Sequence, residues 1–164
     1  MNENMAAIGP LDCKAAGCEG RAYMPKAQRI DWRTPPALFD KLATEFGPFD
    51  LDPCGSKHSY ASQHCRAFWS HGGLDHPWRG RVFVNPPYGL ALRDWVYTCW
   101  RSVNLDGVIR VVALLPARTD TKWWHDWIGD HCQKATEVRF LKGRLKFEGA
   151  KNAAPFPSVV VVWE

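Results

Sequence analysis

The sequence predicts an α/β protein built on an open, mostly parallel sheet that closes with an antiparallel C-terminal strand. Three observations carry that reading. Apolar runs of strand length alternate with segments of helical periodicity. Three of those runs end abruptly in loop residues, at Asp52-Pro53, Asn85-Pro86 and Pro116-Ala117. The last two runs follow one another with no helix between them, which makes them antiparallel neighbours. A chain of 164 residues is the size of one domain.

Residues 1–28 lack periodicity and scatter Gly, Ala, Lys and Pro, so they read as an N-terminal arm before a folded domain over 29–164. Order begins at "DWRTPPALFDKLATEFGPFDLDPCG". Thr34 is the expected N-cap, and Pro35 suits the first helical position. Leu38, Phe39, Leu42, Ala43 and Phe46 then share one helical face. Gly47-Pro48 ends the helix, with the glycine suited to a left-handed cap. "FDLDPCG" reads as a short strand entering a turn.

Residues 56–79 are polar and rich in His and Gly, and read as a loop or insertion. "RVFVNPP" is the next strand. In "LALRDWVYTCWRSVN", Leu92, Trp95, Val96, Cys99, Trp100 and Val103 recur at helical spacing, and Asp106-Gly107 breaks the pattern. "VIRVVALLPAR" is apolar enough for a strand buried on both faces. "TDTKWWHDWIGDHC" is a second amphipathic helix, with Trp123, Trp124, Trp127 and Ile128 on one side. "EVRFLKGRLKFEG" reads as a strand, a tight turn at Lys142-Gly143 and a short strand. "PSVVVVW" closes the chain as a buried strand.

Composition narrows the function. With 46% hydrophobic and 23% charged residues, the chain suits a globular protein with one core. A net charge of +4 permits a polyanionic partner without requiring one. Nine tryptophans serve cores and also stack on bases. No segment has the apolar length to span a membrane. The N-terminal residues lack a basic start and a long apolar run, and the six cysteines make no dense framework. Reduced thiols in a cytoplasm are the expected setting. Cys13 and Cys18 form half of a zinc pattern with no second pair, and His58, His64, His71 and His76 fit no compact ligand set. No metal is expected.

In open α/β sheets ligands bind beyond the C-terminal ends of the strands. The three loop entries at Asp52, Asn85 and Pro116 therefore mark one edge as the site. Asn85-Pro86-Pro87-Tyr88 is the informative stretch. Proline fixes φ, removes an N–H and keeps the residue before it out of the α region. The result is a stiff, extended corner at a strand end. Asn85 offers a side-chain carbonyl and Pro86 a backbone carbonyl, and paired acceptors suit an amino group with two hydrogens. Tyr88 adds a flat ring for stacking on a planar heterocycle, and Gly89 lets the backbone approach closely.

That arrangement has a chemical use. The exocyclic amine of a nucleobase is a poor nucleophile because its lone pair is delocalised into the ring. Two acceptors that draw its hydrogens out of plane localise the pair on nitrogen. A sulfonium methyl placed in line is then transferred by positioning and electrostatics, without metal or covalent intermediate. In duplex DNA the base must be flipped out to reach such a corner. At about 5% per specified residue, the tetrapeptide arises by chance in about one in a thousand chains of this size. A plain rigid turn is thus the weaker reading.

Asn85-Pro86-Pro87-Tyr88 resembles the catalytic motif of S-adenosylmethionine-dependent amino-methyltransferases. "RTPPALFDKLATEF" resembles the Thr-Pro-x-x-Leu cofactor motif of adenine methyltransferases, and "LDPCGS" resembles their Asp-Pro-x-x-Gly-x-Gly loop. With "LLPARTDTKWWH", "RFLKGRLKF" and "APFPSVVVVW" downstream, residues 30–164 are similar to the small phage-type DNA N-6-adenine-methyltransferase family. The resemblance implies a Rossmann-like methyltransferase fold and S-adenosylmethionine as cofactor. It implies double-stranded DNA as partner. By it, Asn85 and the Pro86 carbonyl hold the target amine, Pro87 stiffens the corner and Tyr88 stacks on the flipped adenine.

Thr34, Pro35, Asp52, Pro53, Cys54, Gly55 and Asn85 would face the cofactor. Asp75 would match an acidic position before the catalytic strand, with a plain loop aspartate as the alternative. Ser56 stands where the loop's second glycine is expected. The span from Gly55 to Arg81 is short for two βα units, so the sheet is abbreviated, with the usual second and third strands missing or reduced to fragments. Arg118, Lys122, Arg144 and Lys146 are candidate phosphate contacts. The tryptophans at helical spacing are core. Cytosine N-4 or a protein glutamine amide are alternative acceptors, and a catalytically silent nucleic-acid-binding protein is the alternative of another class.

Overall fold

The computed structural model describes residues 32–129 and 134–164. The N-terminal arm, Cys13, Cys18 and Cys132 lie outside the described residues. The elements are α1 (Pro36–Phe46), β1 (Leu51–Asp52), α2 (Tyr60–His64), β2 (Ala67–Phe68), β3 (Arg81–Val84), α3 (Leu92–Asn104), β4 (Arg110–Pro116), α4 (Lys122–Trp127), β5 (Glu137–Phe140) and β6 (Ser158–Trp163). They form one six-stranded sheet in the order β2-β1-β3-β4-β6-β5. The first four neighbours pair in parallel, and β6 is antiparallel to both β4 and β5. β5 therefore runs the same way as β4, and its end lies at the same sheet edge as theirs.

The core follows the apolar periods. β4 and β6 are buried on both faces from Val111 to Pro116 and from Ser158 to Trp163. Each fully buried Val or Leu contributes about 1.5–3 kcal/mol. α1 buries Phe39, Leu42 and Phe46, and α3 buries Leu92, Trp95, Val96 and Cys99. Trp123 and Trp124 of α4 are buried, as core rather than DNA-facing rings.

Several local expectations are corrected. Thr34 is not the N-cap of α1. Pro35 takes that place without a side-chain cap, and Pro36 is the first helical residue. Gly47 is not left-handed either. Its backbone is extended, as expected before Pro48, and glycine is needed because a Cβ would meet the Ala43 carbonyl oxygen at 2.6 Å. The 56–79 stretch is not a bare loop. It holds α2, capped by the Ser59 side chain, and the two-residue edge strand β2. No strand follows the turn at Lys142-Gly143, where Gly143 has φ +79°. The backbone there bonds elsewhere: Glu148 N–H donates to the Arg33 carbonyl at 2.8 Å and Ala154 N–H to the Leu145 carbonyl at 2.8 Å.

Candidate active site

β1, β2, β3 and β4 deliver their C-terminal ends to one edge. They run on into Pro53–Ser56, Trp69–Gly73, Asn85–Tyr88 and Ala117–Thr121. Asn85 is gripped by the segment before α1. Its Nδ2 donates to the Trp32 carbonyl and, at 2.9 Å, to Thr34 Oγ1. A backbone carbonyl only accepts, so the Trp32 contact identifies the nitrogen end of the amide. Oδ1 then faces the Tyr88 hydroxyl, 3.0 Å away. That hydroxyl also lies 2.9 Å from the Leu114 carbonyl on β4, and its single proton serves one acceptor at a time. Burial holds the Tyr88 phenol well above its ordinary range, with the Cys54 thiol a lesser cause, so it stays a donor. The Pro87 carbonyl accepts from Gly89 N–H at 3.1 Å, whereas among the described residues no donor reaches the Pro86 carbonyl.

Beside this corner lies a cavity of about 410 Å³. Its lining includes Trp32, Pro53–Ser56, Ser70–Gly73, Asn85, Pro87 and Trp95, with no Asp, Glu, Lys or Arg. The volume falls in the range of small-molecule sites, and the two tryptophans and two prolines give it flat apolar walls. Gly73 is required here, since a Cβ would lie 1.8 Å from the Pro53 carbonyl oxygen.

The loop after β1 is fastened from behind. Asp52 Oδ1 accepts from Cys54 N–H at 3.1 Å, and Oδ2 accepts from Ser62 Oγ at 2.7 Å. Ser62 Oγ in turn accepts from Ser56 N–H at 3.0 Å, and Gly55 N–H donates to the Trp69 carbonyl at 2.9 Å. The three loop amides are thus all used internally, so the loop offers its surface and carbonyls to a ligand rather than an amide nest. Burial raises the Asp52 carboxyl above its ordinary value, opposed by the Ser62 and Cys54 hydrogen bonds. Burial likewise pushes the Cys54 thiol well up, with the Asp52 charge adding to it, so Cys54 is no ready thiolate.

The family model described as DNA N-6-adenine-methyltransferase (Dam) matches residues 21–164. The chain belongs to that family. It is thus an enzyme of DNA adenine methylation, with DNA as substrate class and a methyl donor as its second substrate. No curated protein and no solved structure gives a significant match.

The methyltransferase brings together some of the expected residues and separates others. Pro53, Cys54, Gly55, Asn85 and Pro87 line the cavity beside the corner. Thr34 and Asp52 do not. They border an adjoining crevice of about 20 Å³ that shares Trp32, Cys54, Ser56 and Asn85 with it. Pro35 is the cap of α1 and lines neither. Asp75 lines a separate cavity of about 420 Å³ against α3, with Arg101 and Asp106. Tyr88 is only 5% exposed and lines none of these spaces. Its ring meets Phe156 at 5.5 Å and Phe147 at 6.2 Å, both edge to face.

Arg118, Lys122, Arg144 and Lys146 are exposed on segments that follow β4 and β5, whose ends share the site's edge. Lys122 pairs with Asp126 at 2.9 Å. Among the described residues no group of three or more His, Cys, Asp or Glu is placed to hold a metal ion, and no helix is long and apolar enough to cross a membrane. Trp32, Ser62, Gly72, Gly73, Phe147 and Phe156 are site residues that sequence reasoning missed. The Gly72-Gly73 pair was a signal, because adjacent glycines in a loop mark close backbone approach. Ser62 carried none.

Proposed function

We propose that the enzyme transfers the methyl of S-adenosylmethionine to the N-6 amine of an adenine flipped out of duplex DNA into the Asn85–Tyr88 corner. The observation that carries this is the place of Asn85. It is anchored by Trp32 and Thr34 on one side and lines the cofactor-sized cavity on the other. The sheet order, with β6 reversed, supports a Rossmann-like methyltransferase fold shortened on its first side to the two-residue β2.

Pro53–Ser56, Gly73, Trp32 and Trp95 would hold the cofactor, which supplies an electrophilic sulfonium methyl. Asn85 Oδ1 and the Pro86 carbonyl would accept hydrogen bonds from the two N–H groups of the amine and draw its lone pair out of the ring, and the methylated nitrogen would release one proton to solvent. The Tyr88 proton, by turning wholly to the Leu114 carbonyl, leaves Oδ1 open for the amine. Phe156, half-buried against Tyr88, is the side chain that a purine displaces to reach the Tyr88 face. Arg118, Arg144 and Lys146 neutralise phosphates at the rim, while Asp52 and Thr34 act from behind the loop and the corner.

The test combines three readouts on one preparation. Calorimetry with S-adenosylmethionine is expected to give saturable binding. 2-Aminopurine at the target adenine is expected to brighten when it leaves the stack. Mass analysis of nucleosides after turnover is expected to find N-6-methyladenine. Absence of binding heat would favour a silent DNA-binding protein, and a dark probe during active turnover would remove base flipping.

A further inference from the structure

We propose that Thr34 is a positioning residue for Asn85, aiming its amide, and not a cofactor contact. The inference rests on the reading of Asn85 as the residue that holds the target amine. The χ2 torsion of asparagine is broad, so stereochemistry alone does not point Oδ1 anywhere. Its direction has to be set by hydrogen bonds, and once the Tyr88 proton turns to the Leu114 carbonyl only those donated by the amide nitrogen remain. One bond, to the Trp32 carbonyl, selects the nitrogen end but leaves the amide free to swing about that contact. The second, to Thr34 Oγ1 at 2.9 Å, fixes the plane.

Thr34 is suited to the task. It is 1% exposed, so its hydroxyl is shielded from bulk solvent. It borders the small crevice and is not among the residues that line the 410 Å³ cavity. It precedes Pro35-Pro36 as Asn85 precedes Pro86-Pro87. Each residue before a proline is barred from the α region, and each proline fixes its own φ. Two stiffened segments from distant parts of the chain therefore meet through one side-chain hydrogen bond, and neither backbone yields easily to let the amide turn. The "RTPP" stretch, read in the sequence as part of the cofactor site, works in the structure on the reacting amine's holder.

The test uses Thr34→Val, which keeps the shape and removes the hydroxyl, and Thr34→Ser, which keeps the hydroxyl. Thr34→Ala repeats the hydroxyl loss without adding bulk. Single-turnover methyl transfer is measured at saturating S-adenosylmethionine and duplex DNA, with cofactor affinity from calorimetry. Thr34→Val and Thr34→Ala are expected to slow transfer about 10- to 100-fold, the scale of a displaced reacting group. Cofactor affinity should stay within about threefold, and Thr34→Ser should return the rate to within about threefold of wild type. An undiminished rate in Thr34→Val overturns the proposal. So does a loss of cofactor affinity at an unchanged saturated rate, or failure of serine to rescue. Asn85→Ala in the same assay separates the two levels. If it transfers normally, the Asn85 reading itself falls. If it is inactive while Thr34→Val is normal, only the Thr34 inference falls.

Discussion

Between β4 and β6 six residue pairs face one another, and every residue of both strands except Arg110 is buried. Between β1 and β2 there are two pairs, and both residues of β2 are exposed. The Asn85–Tyr88 corner leaves β3, which joins these halves, yet it is tied to the long-stranded side through the Tyr88 hydroxyl and the Leu114 carbonyl. The loop after β1 belongs to the short-stranded side. There, Asp52 and Ser62 add a side-chain relay that ends on the Ser56 N–H to a short ladder. The difference teaches that the Asn85–Tyr88 corner is moored to the packed half through one hydroxyl, whereas the loop after β1 is held by a few buried polar contacts.

Substitutions break that contrast in order of effect. Leu114→Ala, in the long-stranded half, is expected to cost about 2–5 kcal/mol of unfolding free energy in urea titrations. Cofactor affinity should stay intact wherever the fold persists. A cost near zero would deny that this half is the packed one. Ser62→Ala, in the other half, removes the partner of Asp52 Oδ2 and of Ser56 N–H. The expected loss is smaller, about 1–3 kcal/mol, but calorimetry should show weakened S-adenosylmethionine binding. Unchanged binding would mean that the loop stands without its fastening.

Asp52→Asn sharpens the same point through pH. Burial raises the folded carboxyl above the unfolded value of about 3.9. Its contribution to stability is thus fully present below the unfolded value and is lost as pH rises through the folded one. Wild type should therefore lose stability relative to Asp52→Asn from pH 4 upward, read by parallel urea titrations. A difference that moves in favour of wild type with rising pH would contradict a desolvated carboxyl. Last, Arg144→Ala with Lys146→Ala should leave both halves of the sheet unaltered and flatten the salt dependence of DNA binding. The slope of log K against log salt is expected to fall by about 1 for each phosphate that is no longer neutralised.

What the sequence made legible follows the same division. The strands Arg81–Val84, Arg110–Pro116 and Ser158–Trp163 announce themselves because a strand buried on both faces is an unbroken apolar run. α2 and β2 do not, since a five-residue helix and a two-residue edge strand hold too few periods to read. Asn85-Pro86-Pro87-Tyr88 was legible as a corner because prolines dictate backbone shape locally. The partners of Thr34, Asp52 and Tyr88 were not, because Asn85, Ser62 and Phe156 lie 51, 10 and 68 positions away and only the folded chain brings them together. Thr34 misled for a physical reason: a threonine before prolines suits an N-cap, but a buried asparagine amide competed for its oxygen.

The most direct measurement of the central claim is single-turnover transfer from labelled S-adenosylmethionine to duplex adenine by Asn85→Ala, with cofactor binding followed in the same samples. The account predicts a rate reduced by about 100-fold or more, with cofactor affinity largely kept. Transfer at the wild-type rate would contradict it.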